Sequence, residues 1–359
     1  MKLINELTTI LNHHLFWNRA RIACLAQLIQ ALFLVRTVNL AELATAFKRK
    51  AKVSSSYRRI QRFFDFHFDL TWIVLIVKHL FAIDTEKLTL ILDRTNWQFG
   101  KAKINILVLA IAWEGIAIPI FWLVLDRKGN SASRHRKMLL RKAIKTLGKA
   151  KIRLILADRE FVGTDWFAFL VSEKLPFCIR VQKKYLVYGK NAGPACLKHL
   201  FRNLKPFRKK ILKTSYLLWG IPVYLSARRA DHDDVLILAS SVYLENAPEE
   251  YAKRWEIETL FGCLKKRGFR MEETHLTNPQ KIGKLFFVLT IAFCWAYKLG
   301  NIKRLTNPIK VKNHGRLLYS FFRYGFDEIR QVFLNLSHNL KKLFYILKVF
   351  SKRGIVAYV

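Results

Sequence analysis

Apolar residues recur at helical spacing through ARIACLAQLIQALFLV (20–35) and NLAELATAF (39–47). A basic linker, KRKAKV, leads to SSSYRRIQRFFDF (54–66), where a serine N-cap is predicted to open a helix bearing Tyr57, Arg58, Arg59, Gln61 and Arg62. From about residue 87 the period changes. KLTLILD, ending at Asp93, and KIRLILAD, ending at Asp158, are short apolar runs of the kind that form buried strands. Between them INILVLAIAWEGIAIPIFWLVL (104–125) is long enough to cross a membrane. Glu114-Gly115 interrupts it, Pro119 lies in its second half, and β-branched and aromatic residues crowd both arms. It is therefore predicted as two strands joined by a tight turn.

A turn and a serine cap in RKGNSAS are predicted to open an amphipathic basic helix, RHRKMLLRKAIKTLGKA. TDWFAFLVSEKL follows the Asp158 strand as a helix, and PFCIRVQ as a fifth strand. Three strands with a hairpin, helix, strand, helix and strand is the order of a ribonuclease-H-like α/β domain. TSYLLWG, PVYLSARR and VLILASS then alternate as short strands of a β-rich insertion. KIGKLFFVLTIAFCWAYKLG (281–300) reads as an apolar core helix, with a lysine at each end. The predicted organisation is a helical domain (1–85), the ribonuclease-H-like domain (86–182 and 246–300), the insertion (183–245) and a helical C-terminal region (301–359).

The chain carries 63 Lys and Arg against 25 Asp and Glu, a net charge of +38 spread along its 359 residues. That field attracts a polyanion, and with helices in this pattern it points to nucleic acid. A short helix followed by an arginine-rich one fits a helix-turn-helix-like reader. The five cysteines form no CxxC pair and no zinc spacing, which suits a reducing compartment. MKLINELTTILNHH has no secretory pattern, so a cytoplasmic, nucleoid-associated protein is expected, with no membrane partner.

Asp93 and Asp158 each end an apolar strand. An aspartate there commonly caps a helix or opens a turn. If the strands are parallel neighbours, however, both carboxylates meet at one sheet edge, where a third acid would complete a site for two divalent cations. Asp126 and the ADHDD run (230–234) are expected to be turn residues. Within EEYAKRWEIETLFGCLKKRGF (249–269), Tyr251, Arg254, Glu258 and Lys265 fall within about 60° of one another on an ideal α-helix. That face is either a solvated salt-bridge ladder or a carboxylate set among phosphate ligands.

Tyr, Arg, Glu and Lys at these intervals resemble the YREK signature of DDE transposases of bacterial insertion sequences, in the insertion-sequence-four family. LILDRTNW around Asp93, LILADREF around Asp158, KGNS, and HGRLLYSFFRYGFDEI near the C-terminus support the resemblance. It implies an enzyme of cut-and-paste transposition. Asp93, Asp158 and Glu258 would hold two Mg²⁺ ions, with Mn²⁺ able to substitute, while Tyr251, Arg254 and Lys265 would grip DNA phosphates. Terminal repeats and target DNA would be its partners, and a homodimer would join two ends. It also implies a β-insertion between Asp158 and Glu258, which can carry a tryptophan that stacks on a flipped base; the last insertion strand has none, so either Trp219 substitutes or the contact is absent. Two alternatives are a nuclease that cuts without joining and a non-catalytic DNA-binding protein.

Overall fold

The computed structural model describes residues 2–47, 51–83, 87–125, 129–190, 192–230, 234–336 and 339–353. Asp126 and Asp231–Asp233 of the ADHDD run lie outside the described residues. The chain divides into two compact units: residues 1–85, 96–105 and 260–359 form one, and 86–95 with 106–259 the other.

The helical unit contains α1 (Lys2–Asn12), α2 (Arg19–Val35), α3 (Leu40–Thr45), α4 (Val53–Asp65) and α5 (Trp72–Phe81). Asn18 and Asn39 cap α2 and α3 by accepting from the amides of Ala20 and Ala41. The serine cap predicted for α4 is not formed. Lys52 holds that position without a side-chain bond, and Ser54, Ser55 and Ser56 lie inside the first turn.

The other unit is built on a mixed sheet. The strands are β1 (Leu88–Phe99), β2 (Ala102–Trp113), β3 (Ile116–Leu125), β4 (Ile152–Ala157), β5 (Phe177–Arg180), β6 (Leu186–Gly189), β7 (Ala192–Cys196), β8 (Lys209–Leu218), β9 (Ile221–Arg229) and β10 (Val235–Ser240); the end of β1 from residue 96 and the start of β2 up to residue 105 are counted with the helical unit. They are ordered β3-β2-β1-β4-β5-β10-β9-β8-β6-β7. The membrane-length apolar run is β2 and β3, reversing at Glu114 (φ 45°) and Gly115 (φ 86°), where a glycine meets the left-handed requirement without strain. β1, β4 and β5 are parallel neighbours, and helices α6 (Ser133–Leu147) and α7 (Thr164–Ser172) make the crossovers. This is a ribonuclease-H-like fold with helical extensions at both ends. The insertion strands continue the central sheet, β10 pairing antiparallel with β5. β6, β7 and the one-turn α8 (Leu197–Leu200) escaped prediction; AGPAC, the β7 segment, has a glycine and a proline and no strand signature.

α9 (Ala247–Ala252) and α10 (Trp255–Gly262) follow, then a π-helical turn, Cys263–Arg267. α11 (Pro279–Thr306) opens on Asn278, whose side chain accepts from the amides of Gln280 and Lys281. It is the one helix among the described residues long and apolar enough to cross a membrane, and its apolar window is wholly buried within the protein. α12 (Phe321–Leu334) and α13 (Leu340–Ser351) complete the chain. α11 and α12 touch backbone to backbone: a Cβ on Gly300 would stand 1.8 Å from the carbonyl oxygen of Phe321, and one on Gly325 1.9 Å from that of Ala296.

Candidate active site

Apolar pairing places the two aspartates. Leu92 of β1 pairs with Ala157 of β4 at the end of their parallel ladder, so Asp93 and Asp158 are the next residue on each strand. Side chains buried on both faces hold that register, because a slip would bring polar positions into the core. β1 does not stop at Asp93, as the sequence pattern predicts, but runs on to Phe99 without β4 beside it.

Two arginines, through one ion pair and several hydrogen bonds, brace both strand ends. Arg94 donates from Nε to Glu160 at 2.6 Å and from Nη2 to Asn130 at 3.3 Å. Arg136 on α6, only 4% exposed, donates to Oγ and the carbonyl of Ser131 and to the carbonyl of Glu160. Ser131 of the KGNS run is therefore an acceptor for a buried arginine; α6 begins at Ser133 with no side-chain cap. Burial lowers the Arg136 pKa to about 10, with Glu160 opposing the shift.

α9 is pinned by Arg153 on β4, which donates to Thr89 and Glu250 at 2.6 Å each. Burial works against the Glu250 charge, but Arg153 and Lys253 outweigh it and hold its pKa below the ordinary value. Between α9 and α10 the amides of Arg254, Glu256 and Ile257 bond three residues back, to Tyr251, Lys253 and Arg254. The predicted single α-helical face is thus interrupted there, and again at the π-helical turn that contains Lys265.

Arg254, 5% exposed, bridges two of the acids: Nη1 to Asp93 Oδ2 at 3.1 Å, and Nη2 to Glu258 Oε1 at 2.8 Å. Its Nε is buried without a partner, and its guanidinium lies 4.6 Å from the centre of the Trp255 ring. Burial opposes the Arg254 charge, yet Tyr251 and the surrounding carboxylates raise its pKa. Tyr251 is buried, and its hydroxyl is 3.4 Å from Asp158 Oδ1; burial pushes its pKa up. Burial also drives the Asp93 carboxyl up to about 7, against the Arg94 amide (2.8 Å from Oδ1) and the Arg254 charge.

Asp93, Asp158, Tyr251, Arg254 and Glu258 are thus joined by direct contacts in one unit. Lys265 belongs to the other, where it donates to the Asn96 carbonyl at 2.9 Å, pairs with Glu272 at 2.8 Å and lies over Trp97. Sequence reasoning missed Glu256, two residues from Glu258, whose carboxylate accepts from the amides of Trp113 (2.8 Å) and Gly115 (3.1 Å) and clamps the β2–β3 turn.

The profile of the transposase DDE domain matches residues 84–295. The chain belongs to the transposase DDE domain family. No curated protein matches it. Among solved structures it resembles the piggyBac transposase synaptic complex with hairpin DNA, at 12% identity over 97% of this chain and 83% of that chain, with a TM-score of 0.49.

Among the described residues no group of three His, Cys, Asp or Glu side chains lies close enough to hold a metal ion. Arg254 supplies a positive charge between Asp93 and Glu258. The donor set is all carboxylate oxygen, which suits a hard divalent cation.

Of the N-terminal candidates, Arg58 and Arg62 are exposed on α4 and Tyr57 is half-buried. Arg59 is turned inward, donating to Gln27 at 2.7 Å and to the Ala20 carbonyl at 3.2 Å. Trp219 stands at the β8–β9 turn with φ 55°, its ring packed against Phe167 and Tyr185.

Proposed function

We propose that the protein is an insertion-sequence transposase of the insertion-sequence-four, YREK-bearing kind, which cuts DNA at the ends of its element and joins them to a target. The observation that carries this reading is the register at which Asp93 and Asp158 leave adjacent parallel strands, with Arg254 linking Asp93 to Glu258. Asp93, Asp158 and Glu258 would hold two Mg²⁺ ions, or Mn²⁺ in their place. Bound there, the ions would activate the attacking water or 3′-hydroxyl and stabilise the leaving oxygen.

The chain's own side chains position DNA. Arg254 has a buried Nε without a partner and two further nitrogens on carboxylates, so a phosphate oxygen can take up the unused donor. Tyr251 would donate to a phosphate in place of its long contact with Asp158. Lys265 would exchange Glu272 for phosphate. Arg58, Arg62 and Tyr57 on α4 would meet terminal-repeat DNA, whereas Arg59 braces α4 from within. In sequence, the expected steps are end nicking, attack of the freed 3′-hydroxyl on the opposite strand to make a hairpin, hairpin opening and strand transfer. A homodimer would hold two ends, in the cytoplasm beside the nucleoid.

The test incubates purified protein and Mg²⁺ or Mn²⁺ with labelled DNA carrying the repeats that flank its gene. Divalent-dependent nicks, hairpins and strand-transfer products are expected. Nicks without joined products would favour the nuclease alternative, and full cleavage by Asp158→Ala would sink the site assignment.

A further inference from the structure

A cavity of about 580 Å³ lies in the sheet-based unit, where the ends of β5, β9 and β10 meet α8. The buried side chains of Val181, Phe201 and Ile237 are part of its lining, and the Val181 amide donates to the Ile237 carbonyl at 2.9 Å. Arg159, Lys183, Lys184, Lys198, Arg202 and Arg229 converge on it from four separate segments. None of the six has a carboxylate partner among the described residues. The one described acid in the lining is Asp234, 3.4 Å from Arg180 and with its side chain 76% exposed. Arg229 also holds a buried Nε that meets no acceptor.

Lysines of an ordinary solvated face project apart, each screened by water. Here like charges surround one concavity and a guanidinium donor is desolvated without being used, which is unfavourable until an anion enters. We propose that this cavity binds successive phosphate groups of a single DNA strand, at a site separate from the three acids. The inference rests on the reading of DNA as substrate. Arg159 directly follows Asp158, so a strand held here runs on from the acids. Concavity selects a single strand, because a duplex is too wide to enter a cavity of about 580 Å³. The buried Phe201 offers no face for stacking, so recognition is of the backbone and indifferent to base sequence.

The test measures anisotropy of a short labelled single strand, and of its duplex, across a salt series. Wild type is compared with K198E/R202E and with K142E/K145E, which makes the same charge change on exposed positions of α6. K198E/R202E should lose about tenfold or more in single-strand affinity, with a salt slope shallower by about 1.4 for two lost phosphate contacts. Its duplex affinity should change no more than that of the α6 control. Single-strand binding that matches the control, or equal losses on duplex and single strand, overturns the proposal while leaving DNA as the substrate. Wild type that binds neither form removes the DNA reading and this site with it. Circular dichroism melting verifies the fold, and K198Q/R202Q replaces the reversal if that variant does not fold.

Discussion

Arg254 donates from Nη1 to Oδ2 of Asp93 at 3.1 Å, tying the link between α9 and α10 to the strand that bears the first acid. Its second nitrogen reaches Glu258 four residues on, so one guanidinium spans two of the three acids. A planar fork can make both bonds; a lysine ammonium is a point charge and cannot reproduce the pair.

Arg254→Lys should therefore behave more like Arg254→Ala than like wild type in a hairpin-formation assay. Arg254→Ala should cost at most about 3 kcal/mol in urea unfolding, because Asp93 can take up a proton when its cation is removed. Wild-type hairpin yield from Arg254→Lys would show that charge alone suffices.

The high Asp93 pKa has two consequences for pH. Raised to about 7 in the folded protein, the carboxyl holds a proton that the unfolded chain releases. Its contribution to stability is present at low pH and is lost as pH rises from about 4 to about 7, at up to about 1.4 kcal/mol per unit. The metal-free protein should lose more melting temperature between pH 5 and 7.5 than Asp93→Asn does. Effects shared by both proteins, such as that of Glu250, cancel in the comparison. If Asp93 holds a divalent cation as proposed, the ion binds only the carboxylate form, and its affinity for wild type should fall about tenfold per unit below pH 7. Titration calorimetry with Mn²⁺ measures it, and a flat profile from pH 5.5 to 7 would contradict the assignment.

Glu256 and Glu258 lie in the same turn and should fail in opposite ways. Glu256→Ala leaves the Trp113 and Gly115 amides without their acceptor and should cost about 1–3 kcal/mol. Glu258 is exposed, so Glu258→Ala should unfold at nearly the wild-type urea concentration while abolishing divalent-dependent nicking. DNA-end binding by Glu258→Ala should persist.

Gly325→Ala should be among the most destabilising single-methyl changes in the helical unit. The new methyl would meet the Ala296 carbonyl oxygen at 1.9 Å, so α11 and α12 must separate, at a cost of about 2 kcal/mol or more. Gly300→Ala should act alike, and thermal melting measures both. Unchanged melting in both would mean that the helices do not approach so closely.

Much of this was legible in local pattern. Each strand from β1 to β5 was visible as an apolar run, and Glu114-Gly115 marked a turn through what otherwise resembled a membrane span. Glu258 four residues after Arg254 announced their pairing, since i,i+4 neighbours meet on any helix. The cap expected at Ser54 failed because the first turn starts a residue earlier, and the cap expected ahead of α6 failed because Ser131 is taken by Arg136. Such exchanges of partner depend on residues distant in sequence.

The sequence by itself determined that two aspartates would each follow an apolar run and that a Tyr-Arg-Glu-Lys spacing would follow a β-rich insertion, because periodicity and turn chemistry act over a few residues. Only the tertiary structure decided which side chains meet. It set Asp93 beside Asp158 through the β1–β4 register, sent Glu256 to a turn and left Glu258 at the site. It broke the ideal helical face before Arg254 and at the π-helical turn, and gave Lys265 partners at Asn96 and Glu272. The reason is physical: strand register and long-range ion pairs are settled by competition among residues far apart in the chain, and no local pattern records its outcome.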